Sequence, residues 1–206
     1  MRILLNSTLT AYHKIGKLNS TLIQNVSLDS KFEKFIVRKN DEFLCFQYVW
    51  IDTIGVIGKI KRTKFKSIDV VVNDEENIII FSSSSESEIT FVSSKIQAYF
   101  NLTLSRIRYF EAFNNRLKEE KPINYKLLSL KYGDYTINNG KDVTGDTFYR
   151  YKEKLIGLQQ HLVCITILNR DTNVLCTLDS DSVIYFYSSI DENTAYRELI
   201  FLFKGS

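Results

Sequence analysis

Apolar residues crowd two short stretches of this chain, and both stretches have the same internal order. In the first, "SIDVVV", "NDEE" and "NIIIFSS" (67–83) read as two β-branched strands joined by a tight polar turn. In the second, "NVLCTL", "DSDS" and "VIYFYSS" (173–189) repeat that order. Each is followed by a helical pattern. After the first, Ile89, Val92, Ile96, Phe100, Ile107, Phe110 and Leu117 recur at three- and four-residue steps, with a break expected near 101–103. After the second, "DENTAYRELIFLF" places Ala195, Leu199 and Leu202 on one face. Ser83 with Glu86, or Ser85 with Glu88, has capping-box spacing at the start of the first helix.

Ser82, Ser83 and Glu86 align with Ser188, Ser189 and Glu192 at a constant offset of 106, close to half of the 206 residues. A gap-free recurrence at that distance predicts an internal duplication. The lone proline, Pro122, follows the charged run "NNRLKEEK" and marks the expected boundary, giving a first repeat over 1–121 with an insertion and a second over 122–206. Antiparallel strands flanked by helices make the expected class α+β, the halves sharing a continuous sheet.

The strands are apolar at both alternating sets of positions, unlike a half-solvated sheet. If the helices cover one face, alternation leaves Val70, Val72, Ile79, Phe81, Cys176, Leu178, Tyr185 and Tyr187 on the other. That face needs its own cover, a second layer of the chain or a homodimer interface on apolarity alone.

Composition narrows the classes. Hydrophobic residues at 44% and charged residues at 25% are those of a globular protein, and 27 basic against 24 acidic residues leave +3, too little for nucleic-acid binding by bulk charge alone. Cys45, Cys164 and Cys176 are scattered without metal-ligand spacing, which fits buried thiols in a reducing compartment. The start is too polar for a signal peptide and no apolar run approaches membrane-spanning length, so an intracellular protein, nuclear or cytoplasmic and without a membrane role, is expected. His13 and His161 have no partner cluster. Gly140 and Gly145 lack phosphate-loop order, Asp134, Asp142 and Asp146 lack a paired carboxylate elsewhere, and Asp74, Glu75, Glu76, Asp179 and Asp181 fall in turns. No catalytic, cofactor or metal site is expected, and the chain reads as a non-enzyme.

The runs "IGKIKRTKFKSIDVVVNDEENIIIFSSSSESEITFVSSKI" and "LVCITILNRDTNVLCTLDSDSVIYFYSSIDENTAYREL" resemble the two halves of the TATA-box-binding protein family, each ending strand, turn, strand, capped helix. "ILLNSTLTAY" with "KLNSTLIQNVSL" is similar to that family's opening strand and helix, and "YKLLSLKYGDY" to the second-half counterpart; "FEKFIVRKNDEFLCFQYVW" looks like an insertion. The resemblance implies a curved saddle with helices on one face, whose concave sheet presses into the DNA minor groove, and a general transcription factor or RNA polymerase subunit as partner. The family's wedge phenylalanines match Ile54, Val72, Gln160 and Leu178 here, three of them aliphatic, and its base-reading asparagines match Leu4 and Ser129. Val70, Ile79, Phe81, Tyr185 and Tyr187 would join the groove face, and Lys59, Lys61, Arg62 and Arg170 match phosphate contacts. The rival expectation is a protein-interaction module that keeps the saddle and binds a protein or itself.

Overall fold

A computed structural model describes residues 3–4, 7–26, 31–57, 60–83, 85–118, 125–132, 135–138 and 162–203. The chain is α+β, built on extensive antiparallel sheet, and divides into a first unit, Ala11–Ser105, and a second, Met1–Thr10 with Arg106–Ser206. The division falls well before Pro122, which lies outside the described residues. Among the described residues no helix is long and apolar enough to cross a membrane.

The first unit begins within β2 (Ser7–Ile15), which follows β1 (Ile3–Leu4). Then come α1 (Ser20–Asn25), β3 (Glu33–Arg38), β4 (Leu44–Ile57), β5 (Ile60–Asn73), β6 (Ile78–Ser82), α2 (Glu86–Phe100) and β7 (Thr103–Arg106). Its strands are ordered β3, β4, β5, β6, β2, and β7 also pairs with β2. The two capping registers for α2 compete, and Ser85 wins: its hydroxyl accepts from the Glu88 amide at 3.4 Å, while Ser83 accepts from the Ser85 amide and donates to the Glu88 carboxylate. Glu86 and Glu88 in the first turn suit the positive end of the helix dipole. The helix stops where the sequence predicts a break, at Asn101, whose left-handed φ of 52° asparagine tolerates.

Beneath α2, Ile89, Val92 and Ile96 pack on Phe46, Tyr48, Ile68, Val70, Val72, Ile79 and Phe81. Burying each such side chain contributes about 1.5–3 kcal/mol. The opposite face of these strands is apolar and buried as well, at Cys45, Val71, Ile78 and Ile80. Both faces are therefore covered there, as the doubly apolar strands require.

The second unit holds α3 (Tyr109–Lys118), β8 (Tyr125–Tyr132), β9 (Tyr135–Asn138), β10 (Leu162–Asn169), β11 (Leu175–Asp179), β12 (Ile184–Phe186), β13 (Ile190–Asp191) and α4 (Glu192–Phe203). Its sheet is ordered β9, β8, β10, β11, β12 and then Ser7–Leu9 of β2; β1 and β13 form a separate short pair. Asp191 caps α4, accepting from the amide and hydroxyl of Thr194 at 3.0 Å each. Ala195, Leu199 and Leu202 are fully buried, as their spacing predicts. Tyr109 of α3 stacks on Phe203 of α4 at 4.4 Å. Buried Glu198 of α4 ties the helix to the sheet: Tyr125 donates to its carboxylate at 2.6 Å, the Asn169 amide at 2.9 Å and Thr172 at 3.2 Å. These donors offset the cost of enclosing a carboxylate.

Candidate nucleic-acid interface

The two hairpins that the sequence pattern aligns differ by one residue in their turns. β5 and β6 are paired through Asn73 and Ile78, leaving residues 74–77 in the turn with Asn77 left-handed. Between β11 and β12 the Asp179 amide donates to the Val183 carbonyl at 2.9 Å, so only Ser180, Asp181 and Ser182 turn, Ser182 being left-handed. Such short loops fix register. In the first hairpin Val70 faces Phe81 and Val72 faces Ile79; in the second Cys176 faces Phe186 and Leu178 faces Ile184. The shorter turn thus turns Tyr185 and Tyr187 to the opposite face from Cys176 and Leu178.

This corrects the expected face for six residues. Val70, Val72, Ile79 and Phe81 lie in the core under α2, and Cys176 and Leu178 are buried on the face that carries Tyr125 and Asn169 against α4. Alternation shows which residues share a face, but not which face a helix takes when both are apolar. Of the eight, Tyr185 and Tyr187 alone lie on the side away from the packed helices, 36% and 56% exposed. The wedge positions Val72 and Leu178 are core residues, and the reading position Leu4 is buried. Ile54, Lys61 and Arg62 pair across β4 and β5 with Thr63, Val56 and Gly55. Arg170 is exposed in the β10–β11 turn. Lys59, Gln160, Asp134, Asp142, Asp146, Gly140, Gly145 and His161 lie outside the described residues. Among the described residues no group of His, Cys, Asp or Glu is placed to hold a metal.

The face of this sheet opposite α4 carries an arrangement that the pattern did not single out. Thr8, Tyr185, Thr177, Thr166 and Ser129 are directly opposite one another on β2, β12, β11, β10 and β8. Five hydroxyl side chains in register form one row across five strands, about 19 Å long at the usual strand spacing. Buried Thr177 and half-buried Thr166 share a hydrogen bond of 2.8 Å, and with Thr177 as its donor the Thr166 hydrogen remains for an outside acceptor. The Tyr185 hydroxyl is held above its ordinary range, first by partial burial and then by nearby Asp179, so it is protonated at neutral pH. Flanking the row on β8, Lys126 stands opposite Leu168 and exposed Lys131 opposite Cys164. Burial likewise raises the Cys164 thiol, which stays protonated and weakly nucleophilic. The signal for the row was present as single threonines interrupting the apolar runs "CITIL" and "LCTL". Their alignment depends on register, which the shorter turn sets.

No family model and no curated protein matches this chain.

Proposed function

We propose that the chain is a divergent, non-catalytic factor of the TATA-box-binding-protein type, a duplicated saddle that docks on duplex DNA and offers its remaining surface to transcription machinery. Two features support the reading. Strand, helix, antiparallel strands and capped helix occur twice along the chain: β2, α1, β3 to β6 and α2, then β7, α3, β8 to β12 and α4. By this order the second copy opens at β7 and α3, and "YKLLSLKYGDY" supplies β8, a strand paired to β10.

The observation that carries the reading is the hydroxyl row. A·T pairs present only acceptors in the minor groove, whereas G adds an amino donor, so a line of small hydroxyl donors is complementary to an A·T-rich floor. About 19 Å corresponds to roughly five or six base pairs at 3.4 Å each. Threonines are short enough for close approach, and Tyr185 and Tyr187 add apolar ring area with a polar tip. Lys126 and Lys131 serve as phosphate contacts beside this face. With Val72 and Leu178 in the core, binding proceeds without wedges at those steps and with little bending.

The test is anisotropy of labelled A·T-rich and G·C-rich duplexes at two salt concentrations, with dyes at both ends to report bending. The reading predicts salt-sensitive preference for the A·T-rich duplex, with Lys131→Glu flattening the log–log salt slope by about 0.9 per lost phosphate contact. No binding at micromolar protein contradicts it. The burial of the wedge positions favours a second reading, a protein-interaction module that keeps the duplicated fold without DNA contact, and that null result would select it.

A further inference from the structure

The first unit ends in an open sheet edge, independent of the hydroxyl row. Among the described residues no strand lies beyond β3. The Ile51 amide donates to the Phe32 carbonyl at 2.9 Å, so these two residues form a hydrogen-bonded pair of the antiparallel ladder. By alternation Lys34, Ile36 and Arg38 also turn their main-chain groups towards β4, and Glu33, Phe35 and Val37 turn theirs outwards. Sheet edges are commonly blunted by a proline, a bulge, a very short strand or a charge. β3 runs over 33–38 without proline and pairs with β4 without a register shift, so only its charges remain to restrict pairing. Its apolar side chains reach the open edge: Ile36 is 40% exposed, and half-buried Phe35 ends an aromatic cluster with Phe46, Tyr48, Tyr99 and Phe100.

Those charges are self-complementary in one register. A second β3 meeting this one antiparallel about a two-fold axis must set outward residues against outward residues, so the axis passes through a residue rather than between two. Axes at Phe35 and Ile36 give the longest overlaps, over 33–37 and 34–38 of each strand. At Ile36 the axis sets Lys34 opposite the second copy's Arg38, which is unfavourable. At Phe35 no like charges face each other: Phe35 meets Phe35, Glu33 meets the second copy's Val37, and the aliphatic stem of Lys34 lies along the second copy's exposed Ile36. The same axis lets Glu33, Phe35 and Val37 exchange main-chain hydrogen bonds with their opposites, and it continues the aromatic cluster across the junction. We propose that β3 pairs with β3 of a second copy, antiparallel about an axis through Phe35, joining two first-unit sheets edge to edge.

Sedimentation velocity of the whole chain from about 1 μM to about 1 mM tests this, since one strand pair buries little area and binds at the weak end of the affinity range. A monomer–dimer equilibrium is expected, weakened about tenfold or more by Ile36→Lys, which sets a cation against Lys34, and by Val37→Pro, which removes an outward amide hydrogen that pairing with β4 does not use. Circular dichroism checks the fold, and Ile36→Lys, at an exposed position, carries the test if Val37→Pro is destabilised. Register is read by oxidising an equimolar mixture of Lys34→Cys and Ile36→Cys chains: they should link to each other, their Cα atoms lying about 4.5 Å apart across the junction, and not within either variant alone. Three results overturn the proposal: a monomer throughout the range, a dimer indifferent to both Ile36→Lys and Val37→Pro, or a mixed disulfide no more abundant than the link within either variant. Thr166→Val with Thr177→Val should leave the equilibrium unchanged, so its failure and that of DNA docking are separable.

Discussion

The β5–β6 and β11–β12 hairpins align residue for residue in sequence yet present opposite sides of their outgoing strands. Phe81 and Tyr187 are equivalent by the offset of 106, but Phe81 is fully buried beneath α2 while Tyr187 is more than half exposed. One residue in the turn accounts for the difference, because side chains alternate with a period of two and any single shift inverts the strand. Two hairpins of matching sequence order can therefore share a cap and a following helix while exchanging core for surface.

Shifting the outgoing strand by one residue is the most severe way to break this comparison. One glycine inserted between Val183 and Ile184 leaves the three-residue turn and its closing Asp179–Val183 bond in place and moves Ile184 and Phe186 one position along the strand, directing them outward. A loss of at least about 4 kcal/mol, read as a collapsed denaturant midpoint, is expected because a core strand is inverted. Unchanged stability would mean that register is not set by the turn. At the two equivalent positions themselves, Phe81→Ala should cost about 3–5 kcal/mol through the cavity it leaves, whereas Tyr187→Ala should stay within about 0.5 kcal/mol. Equal costs in urea unfolding would refute the opposed placement.

The helix caps are equivalent in both hairpins, so they sharpen the contrast. Ser85→Ala and Asp191→Ala should each cost about 1 kcal/mol in the same assay. A cost at one and not the other would show that the duplication does not extend to the caps.

Both units also pin helix to sheet with a glutamate that accepts from tyrosine, Glu33 with Tyr48 and Tyr99, and Glu198 with Tyr125. Burial acts to raise the Glu33 carboxyl, but hydrogen bonds from Tyr48, Tyr99 and Lys95 outweigh it and hold the group below its ordinary 4.5. Its ionised form is favoured by folding, so the stability it contributes is present above about pH 4.5 and is lost as pH falls through the lowered value. The difference in thermal midpoint between the protein and Glu33→Gln should thus be full at neutral pH and close below that range. A gap that stays constant with pH would remove the carboxylate from the account.

Much of this plan was legible in the residues. The helix spacing of Ile89, Val92 and Ile96, the break at Asn101, a serine cap at Ser83 or Ser85, and the core face of Ala195, Leu199 and Leu202 all follow from local rules, while the choice of Ser85 over Ser83 came from the structure. The face proposed to bind was not legible, for two physical reasons. Val70 and Val71 are both buried, so hydropathy carries no information about which side α2 covers. The alignment of Thr8, Ser129, Thr166 and Thr177 requires the pairing of strands far apart in the chain, which no local pattern encodes.

The central claim is that the hydroxyl row meets A·T-rich duplex, and the double variant Thr166→Val, Thr177→Val tests it most directly. Valine keeps the shape of threonine, and removing both members of a hydrogen-bonded pair leaves no unpaired group, so folding should be nearly unchanged. Anisotropy with the A·T-rich duplex should then show affinity reduced by about tenfold or more, with the G·C-rich duplex little affected. Equal affinity of the variant and the parent for the A·T-rich duplex would contradict the account.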